Sequence, residues 1–179
     1  MQRHVVTGRV LPEEPVLQYA ISLNEGEFDE AEAVLDRSES QLPVILVELY
    51  RQEISRARAE AADVYRRQAL EAYRSKRFEE AESYAAEAIA IEDPGGDMLF
   101  LLAQSLRLSG KRNDAAPHYR SFFEKYPDDE KADDAMYWRS ESLARLGQYD
   151  EAKELLENIM ALTRSNMKRQ ATKLLLELP

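Results

Sequence analysis

The sequence predicts an all-α array of stacked helical hairpins, and three observations predict it. First, a short segment recurs: Phe78-Glu79-Glu80-Ala81 returns as Tyr149-Asp150-Glu151-Ala152 and as Phe28-Asp29-Glu30-Ala31, with a weaker copy in Arg112-Asn113-Asp114-Ala115. Second, the closing alanines lie 34 residues apart from Ala81 to Ala115 and 37 apart from Ala115 to Ala152, intervals that mark stacked repeats and not one irregular core. Third, 44% hydrophobic and 32% charged residues over 179 positions describe a folded, charge-coated chain. With no Cys, its core must be held by packing alone.

The elements follow in chain order. Residues 1–12 carry Val5, Val6, Val10 and Leu11 with no helical period and end at Pro12, which predicts a flexible or extended arm able to add to a groove or a neighbouring chain. Residues 13–43 read as a divergent hairpin around Gly26 and Ala31, closed by Pro43. From Ala31 to Ala81 the interval stretches to 50 residues, and no Gly or Pro interrupts Val44 to Ser75. Val47, Tyr50, Ile54, Ala57, Ala61 and Val64 recur at three/four spacing there, so one amphipathic helix of roughly 30 residues is expected. Residues 44–61 extend it, and its second half opens the next repeat. The stripe has two readings, a surface for homo-oligomers or partners and a face packed on this chain's own helices. Repeats are expected at 62–95, 96–132 and 133–166, and residues 167–179 form a capping helix through Ala171, Leu174, Leu175 and Leu178, with Leu176 left outside the stripe.

Within each hairpin the spacing has a physical reason. Five residues before each alanine stand Gly26, Lys76, Gly110 and Gly147, where a tight helix-ending turn favours positive φ. Lys76 is the departure. Four residues after the alanine stand Leu35, Ala85, Tyr119 and Leu156, and seven after it Ser38, Ala88, Phe122 and Ile159. These stay on one helical face and fill the seam. Pro43, Pro94 and Pro127 stop the second helix of three units.

This pattern resembles the tetratricopeptide repeat, a 34-residue helix–turn–helix unit, over roughly residues 13–166. The fullest match is 96–132, with Leu102, Ala103, Leu106, Gly110, Ala115, Tyr119, Phe122 and Pro127 in register. The resemblance implies a right-handed superhelix whose first helices line a concave groove for a partner peptide or helix. Carried over by position, the groove residues are Arg66, Leu70, Tyr73 and Arg74, then Phe100, Gln104 and Arg107, then Tyr137, Glu141 and Arg145. Four Arg with aromatic neighbours would favour an acidic peptide; the other reading has Phe100 and Tyr137 packed between repeats and the Arg side chains in surface ion pairs. The carboxylate clamp of some relatives is not carried, because its places hold Arg66, Leu70, Asp97 and Leu101. The stretch Tyr126–Trp138 and the segment Leu146–Ala152 look like the subtype of bacterial cell-envelope repeat proteins, of the Tol–Pal-associated and barrel-assembly lipoprotein kind. That implies scaffolding of an envelope complex. The alternative is a type III secretion translocator-type chaperone holding an extended apolar client, which size, acidity and repeat count also fit.

Composition narrows the function class. With 24 Lys+Arg against 34 Asp+Glu the net charge is −10, which argues against nucleic acid as a partner, since phosphate binding rests on an excess of cations. The acidic excess is concentrated at residues 1–43, with three basic and nine acidic side chains, whereas 167–179 has three basic and one acidic. No apolar run reaches membrane-spanning length. The first residues lack the apolar core of a secretory leader, so two locations stay open, the bacterial periplasm or envelope if a leader was removed and the cytoplasm otherwise. Two His, no Cys and no Gly-rich phosphate loop leave no recognisable catalytic, cofactor or metal set. Asp128-Asp129-Glu130 and Asp133-Asp134 suit a helix start, and His118 a helix seam. A non-catalytic binding protein is expected, with an enzyme of unrecognised site as the distant alternative.

Overall fold

The computed structural model describes residues 5, 6, 9, 10, 13–92 and 95–179. Among these, Val5–Val6 (β1) pairs antiparallel with Arg9–Val10 (β2) in a two-residue ladder, where the sequence predicts only a flexible or extended arm. The rest of residues 1–12 lies outside the described residues. The remainder is helical, in two compact units that divide between Ala61 and Ala62.

In the first unit α1 (Glu13–Glu25) and α2 (Phe28–Ser38) form a hairpin, followed by a 3-10 turn at Glu39–Gln41 and the first half of α3 (Val44–Arg74). Its core is Tyr19, Ala31, Val34, Leu35, Leu42, Val47 and Ile54. The Tyr19 ring stacks on Tyr50 at 4.6 Å and its hydroxyl donates to Glu53 Oε2 at 3.0 Å, so the polar end of a buried ring keeps a partner.

The stripe predicted along α3 holds only for its first turns. Val47 and Ile54 are buried and Tyr50 packs on them, but Val64 is 44% exposed. Six positions at three/four spacing average less than the 3.6 residues of a helical turn, so the line walks around the helix and reaches solvent. The buried line of the second half runs instead through Ala62, Ala69 and Ala72.

The second unit continues from the end of α3 through α4 (Phe78–Ile91), α5 (Gly96–Leu108), α6 (Arg112–Lys125), α7 (Ala132–Arg145), α8 (Tyr149–Ala161) and α9 (Lys168–Glu177). From α4 onward each helix packs on the next. The alanines Ala81, Ala115 and Ala152 are fully buried, as is Ala31 in the first unit, and so are Tyr119, Phe122, Leu156 and Ile159 in the seams. One cluster runs from Ala69 and Ala72 through Ala85, Leu102 and Leu106 to Phe122 and Ala135. At the start of α5 a Cβ on Gly96 would lie 2.9 Å from the Phe122 ring, which is why that position carries no side chain.

The four hairpin turns share one hydrogen-bond pattern. In each, the residue after the turn position donates five residues back (Glu27 to Ser22, Arg77 to Ala72, Lys111 to Leu106, Gln148 to Leu143) and the turn residue donates three back (Gly26 to Leu23, Lys76 to Tyr73, Gly110 to Arg107, Gly147 to Ala144). That is a Schellman ending, which requires positive φ at the turn residue. Gly26, Gly110 and Gly147 provide it at +77°, +90° and +77°, and Lys76 adopts it at +59° despite its Cβ.

The capping helix α9 lies within the expected 167–179. Ser165 Oγ accepts the Met167 amide at 3.0 Å and donates to Asp133, so it holds the connection ahead of α9. Ala171 is buried, Leu174, Leu175 and Leu178 pack on Leu156 and Ile159, and Leu176 stays 82% exposed.

Candidate functional site

In the second unit α3 and α5 present matching faces. Arg66, Leu70 and Tyr73 fall at i, i+4 and i+7 on α3, and Asp97, Met98, Phe100, Leu101 and Gln104 share a face of α5. With Lys131, which precedes α7, they enclose a cavity of about 460 Å³. Its floor is apolar and rigid. Phe100 is braced by Tyr119 at 6.0 Å and Phe122 at 5.2 Å, Tyr73 lies edge-on to Phe78 at 5.7 Å, and Leu70 is 37% exposed at the mouth.

Charges sit at the rim, and most are already paired. Arg66 donates to Asp63 at 2.8 Å and to Glu92 at 3.3 Å. Lys131 donates to Asp97 at 2.6 Å, a bond that lifts its ammonium above the ordinary lysine range.

Arg107 is different. Its guanidinium lies over the Trp138 ring, 3.8 Å from the centroid, donates through Nη2 to Gln104 Oε1 at 2.8 Å, and approaches the Tyr119 hydroxyl through Nε at 3.3 Å. Burial pushes the Tyr119 phenol well up, against the pull of Arg107, so it stays a neutral partner. Arg107 thus has a fixed orientation, with no carboxylate partner among the described residues. Gln104 belongs both to the cavity wall and to this network, which joins the two.

Of the ten positions carried over from the sequence, the cavity gathers Arg66, Leu70, Tyr73, Phe100 and Gln104, and Arg107 adjoins through Gln104. The other four stand elsewhere. Arg74 is exposed at the end of α3. Tyr137 packs with Leu156, Ile159 and Ala171 on the α8–α9 side while its ring meets Trp138 edge-on. Glu141 is largely enclosed and holds Arg145, with Arg112 3.8 Å away. Two of the four Arg expected to make a positive groove, Arg66 and Arg145, therefore carry carboxylate partners. These are ion pairs of the kind the second reading describes: Asp63 and Glu141 lie on the same helix as their Arg, three and four residues away, and Glu92 follows the end of α4.

Asp97, Met98, Leu101, Lys131 and Trp138 are part of the site and absent from the expected set. A signal existed for the ion pair: Asp97 and Lys131 are 34 residues apart, one repeat length. The four places of the clamp, Arg66, Leu70, Asp97 and Leu101, all line the cavity without forming a carboxylate-binding set. Among the described residues no three His, Asp or Glu side chains converge as metal ligands, and no helix is long and apolar enough to cross a membrane.

The comparisons with known proteins bear on the fold and on part of the chain. No curated protein matches it in sequence. Twenty-one chains of solved structures match it. One of them, MamA of AMB-1, is 14% identical over 88% of this chain and 97% of that one, with a TM-score of 0.52. The tetratricopeptide repeat family model matches residues 100–159, which hold most of α5, all of α6 and α7 and most of α8. Residues 100–159 thus match the tetratricopeptide repeat, within a chain that has a tetratricopeptide-like helical repeat fold.

Proposed function

We propose that the chain is a non-catalytic interaction scaffold whose α3–α5 cavity holds an extended segment of a partner protein. One bulky apolar side chain of that segment fills the cavity, and a carboxylate near it meets Arg107. The observation that carries this reading is the pairing of an apolar, aromatic-braced cavity with a guanidinium held face-on against Trp138 and, among the described residues, without a carboxylate partner. Rigid aromatic and Arg groups of this kind hold interface energy because little entropy is lost when they are covered. Acidity of the partner then rests on Arg107, not on a general positive field.

Assembly of a bacterial envelope complex is the setting that the Tyr126–Trp138 and Leu146–Ala152 stretches support. The translocator-type chaperone is the second reading, favoured by the apolar floor of Leu70, Met98, Phe100 and Leu101, which suits an apolar client.

The chain has a single Trp, and it lies beneath Arg107, so its fluorescence reports occupancy. Peptides pairing an aromatic or leucine residue with an acidic one should shift that emission saturably. Leu70→Glu should abolish binding with helicity unchanged. Arg107→Ala should weaken acidic peptides by roughly 10- to 100-fold, the worth of a charged hydrogen bond, and leave neutral ones near wild type. Undiminished binding in the Leu70 variant would place the groove elsewhere. An envelope partner should be a folded complex component carrying such a segment, whereas a translocator-type client should bind through a long apolar segment with no acidic requirement.

A further inference from the structure

The first half of α3 has two faces. Val47, Tyr50 and Ile54 pack into the first unit. At 100° per residue, Ile45, Leu49, Gln52 and Arg56 fall on the opposite side. Ile45 is 71% exposed and Leu49 55%, and a shallow recess runs along Leu49, Gln52, Glu53 and Arg56. Their spacing of four, three and four residues is that of a helix–helix seam, which keeps one line facing a partner helix. The chain's own core therefore uses the stripe that the sequence offers for self-association, and leaves a second seam open.

We propose that this outer seam is a self-association surface on which two copies pair antiparallel, centred on Gln52. The occupant is set by charge. A parallel pair in register would put Glu48 against Glu48 and Arg56 against Arg56. The antiparallel pair centred on Gln52 puts Glu48 against Arg56 of the second copy at two places, seats Ile45 against the small Ala59, and lets the two Gln52 amides meet. The groups these residues hold within the chain are weak ones to exchange: Gln52 donates to Glu48 at 3.2 Å, and the Arg56–Glu60 contact at 3.5 Å joins two well-exposed side chains. Opposite charges placed symmetrically select this register and reject the parallel one. One helix face buries less than the ~800 Å² per partner of a standard stable interface, so the association depends on concentration.

Sedimentation equilibrium of the full chain over a wide loading range tests this. The weight-average mass should rise from that of one 20.6 kDa chain toward two. Leu49→Glu should hold it at one chain, with circular dichroism showing the helices intact. Glu48→Arg and Arg56→Glu should each weaken pairing by roughly tenfold or more, since each sets like charges face to face. The double variant Glu48→Arg/Arg56→Glu should restore it. A single-chain mass at every concentration would overturn the proposal. So would a dimer indifferent to Leu49→Glu, or one broken by Leu70→Glu instead, which would move the contact to the groove. A double variant as weak as the single ones would overturn the antiparallel register.

Discussion

The hairpin made by the second half of α3 with α4 and the hairpin of α5 with α6 share one backbone plan and fill it in opposite ways. Both have a fully buried alanine at the close-contact position, Ala81 and Ala115. One repeat length apart, Ala72 stands where Leu106 stands, Ala85 where Tyr119 stands, and Ala88 where Phe122 stands, all buried. The first hairpin is an alanine seam, in which backbones can approach closely and each side chain removes little apolar area from water. The second is an aromatic seam, in which two rings carry most of the burial. The difference reaches function. Phe100 of the cavity floor rests on Tyr119 and Phe122, so the aromatic hairpin braces the proposed groove and the alanine hairpin supplies its opposite wall through Leu70 and Tyr73.

The largest test of that contrast is deletion at matched positions. Phe122→Ala should cost about 3–5 kcal/mol, the loss expected when a fully buried ring leaves a cavity. Ala88→Gly, at the equivalent place, should cost ~1 kcal/mol or less, mostly helix propensity. Urea unfolding followed by circular dichroism reads both, and equal losses would end the distinction. The Phe122 variant should also weaken peptide binding, since Phe100 loses its support.

Enlargement tests the close-packed alanines directly. Ala85→Leu should overpack the alanine seam and cost about 1–3 kcal/mol. Ala115→Leu and Ala152→Leu should behave alike, because those alanines hold the same close contact. A Leu at any of the three that leaves urea stability unchanged would show that the helices there have room to spare.

The turns give an intermediate effect. Gly110 and Lys76 make the same two backbone hydrogen bonds, but a Cβ at positive φ is unfavourable by roughly 1–2 kcal/mol. Gly110→Lys should therefore destabilise by about that amount. Lys76→Gly should stabilise by ~1 kcal/mol or less, since the more flexible unfolded chain offsets part of the relief. Loss of stability in the Lys76 variant would mean that its side chain contributes something the turn geometry does not show.

These matched positions were legible in the sequence because each depends on a residue's own neighbours along the chain. Gly26, Gly110 and Gly147 mark the turns, a buried alanine follows each turn position by five residues, and even the odd Lys76 stands at the right place. The long α3 was legible too, from the absence of Gly and Pro between Val44 and Ser75. Its buried stripe was not, beyond Ile54, because periodicity cannot say where a helix passes from one packing environment to another. The site divides along the same line. Leu70, Tyr73, Phe100 and Gln104 are positions that the tetratricopeptide resemblance assigns to the groove, whereas the charge of the groove depends in part on Glu92 and Asp97 reaching Arg66 and Lys131 from other elements. Trp138, which orients Arg107, sits on the next repeat's first helix, and no spacing within α5 could reveal it.

The smallest effect lies where the two hairpins meet. His118 on α6 is half-buried, with Asp114 on its own helix and Glu82 of α4 facing it. Burial pulls its imidazole below the ordinary histidine range, and the two carboxylates oppose that only in part. The folded chain thus holds His118 neutral at pH values where the unfolded chain has already taken up a proton. Because the unfolded state binds more protons, stability must fall as pH drops through the unfolded value of about 6.5 toward the lower folded one, and is fully present above it. The thermal midpoint should decline between about pH 7.5 and 5.5, a range in which ordinary carboxylates do not titrate. His118→Gln keeps a polar side chain of similar reach without the titration, so its midpoint should vary less with pH. If wild type and variant gave the same slope, the junction between the alanine and aromatic hairpins would be open enough for water to solvate the imidazolium. The enclosure of His118 beside Glu82 would then be wrong.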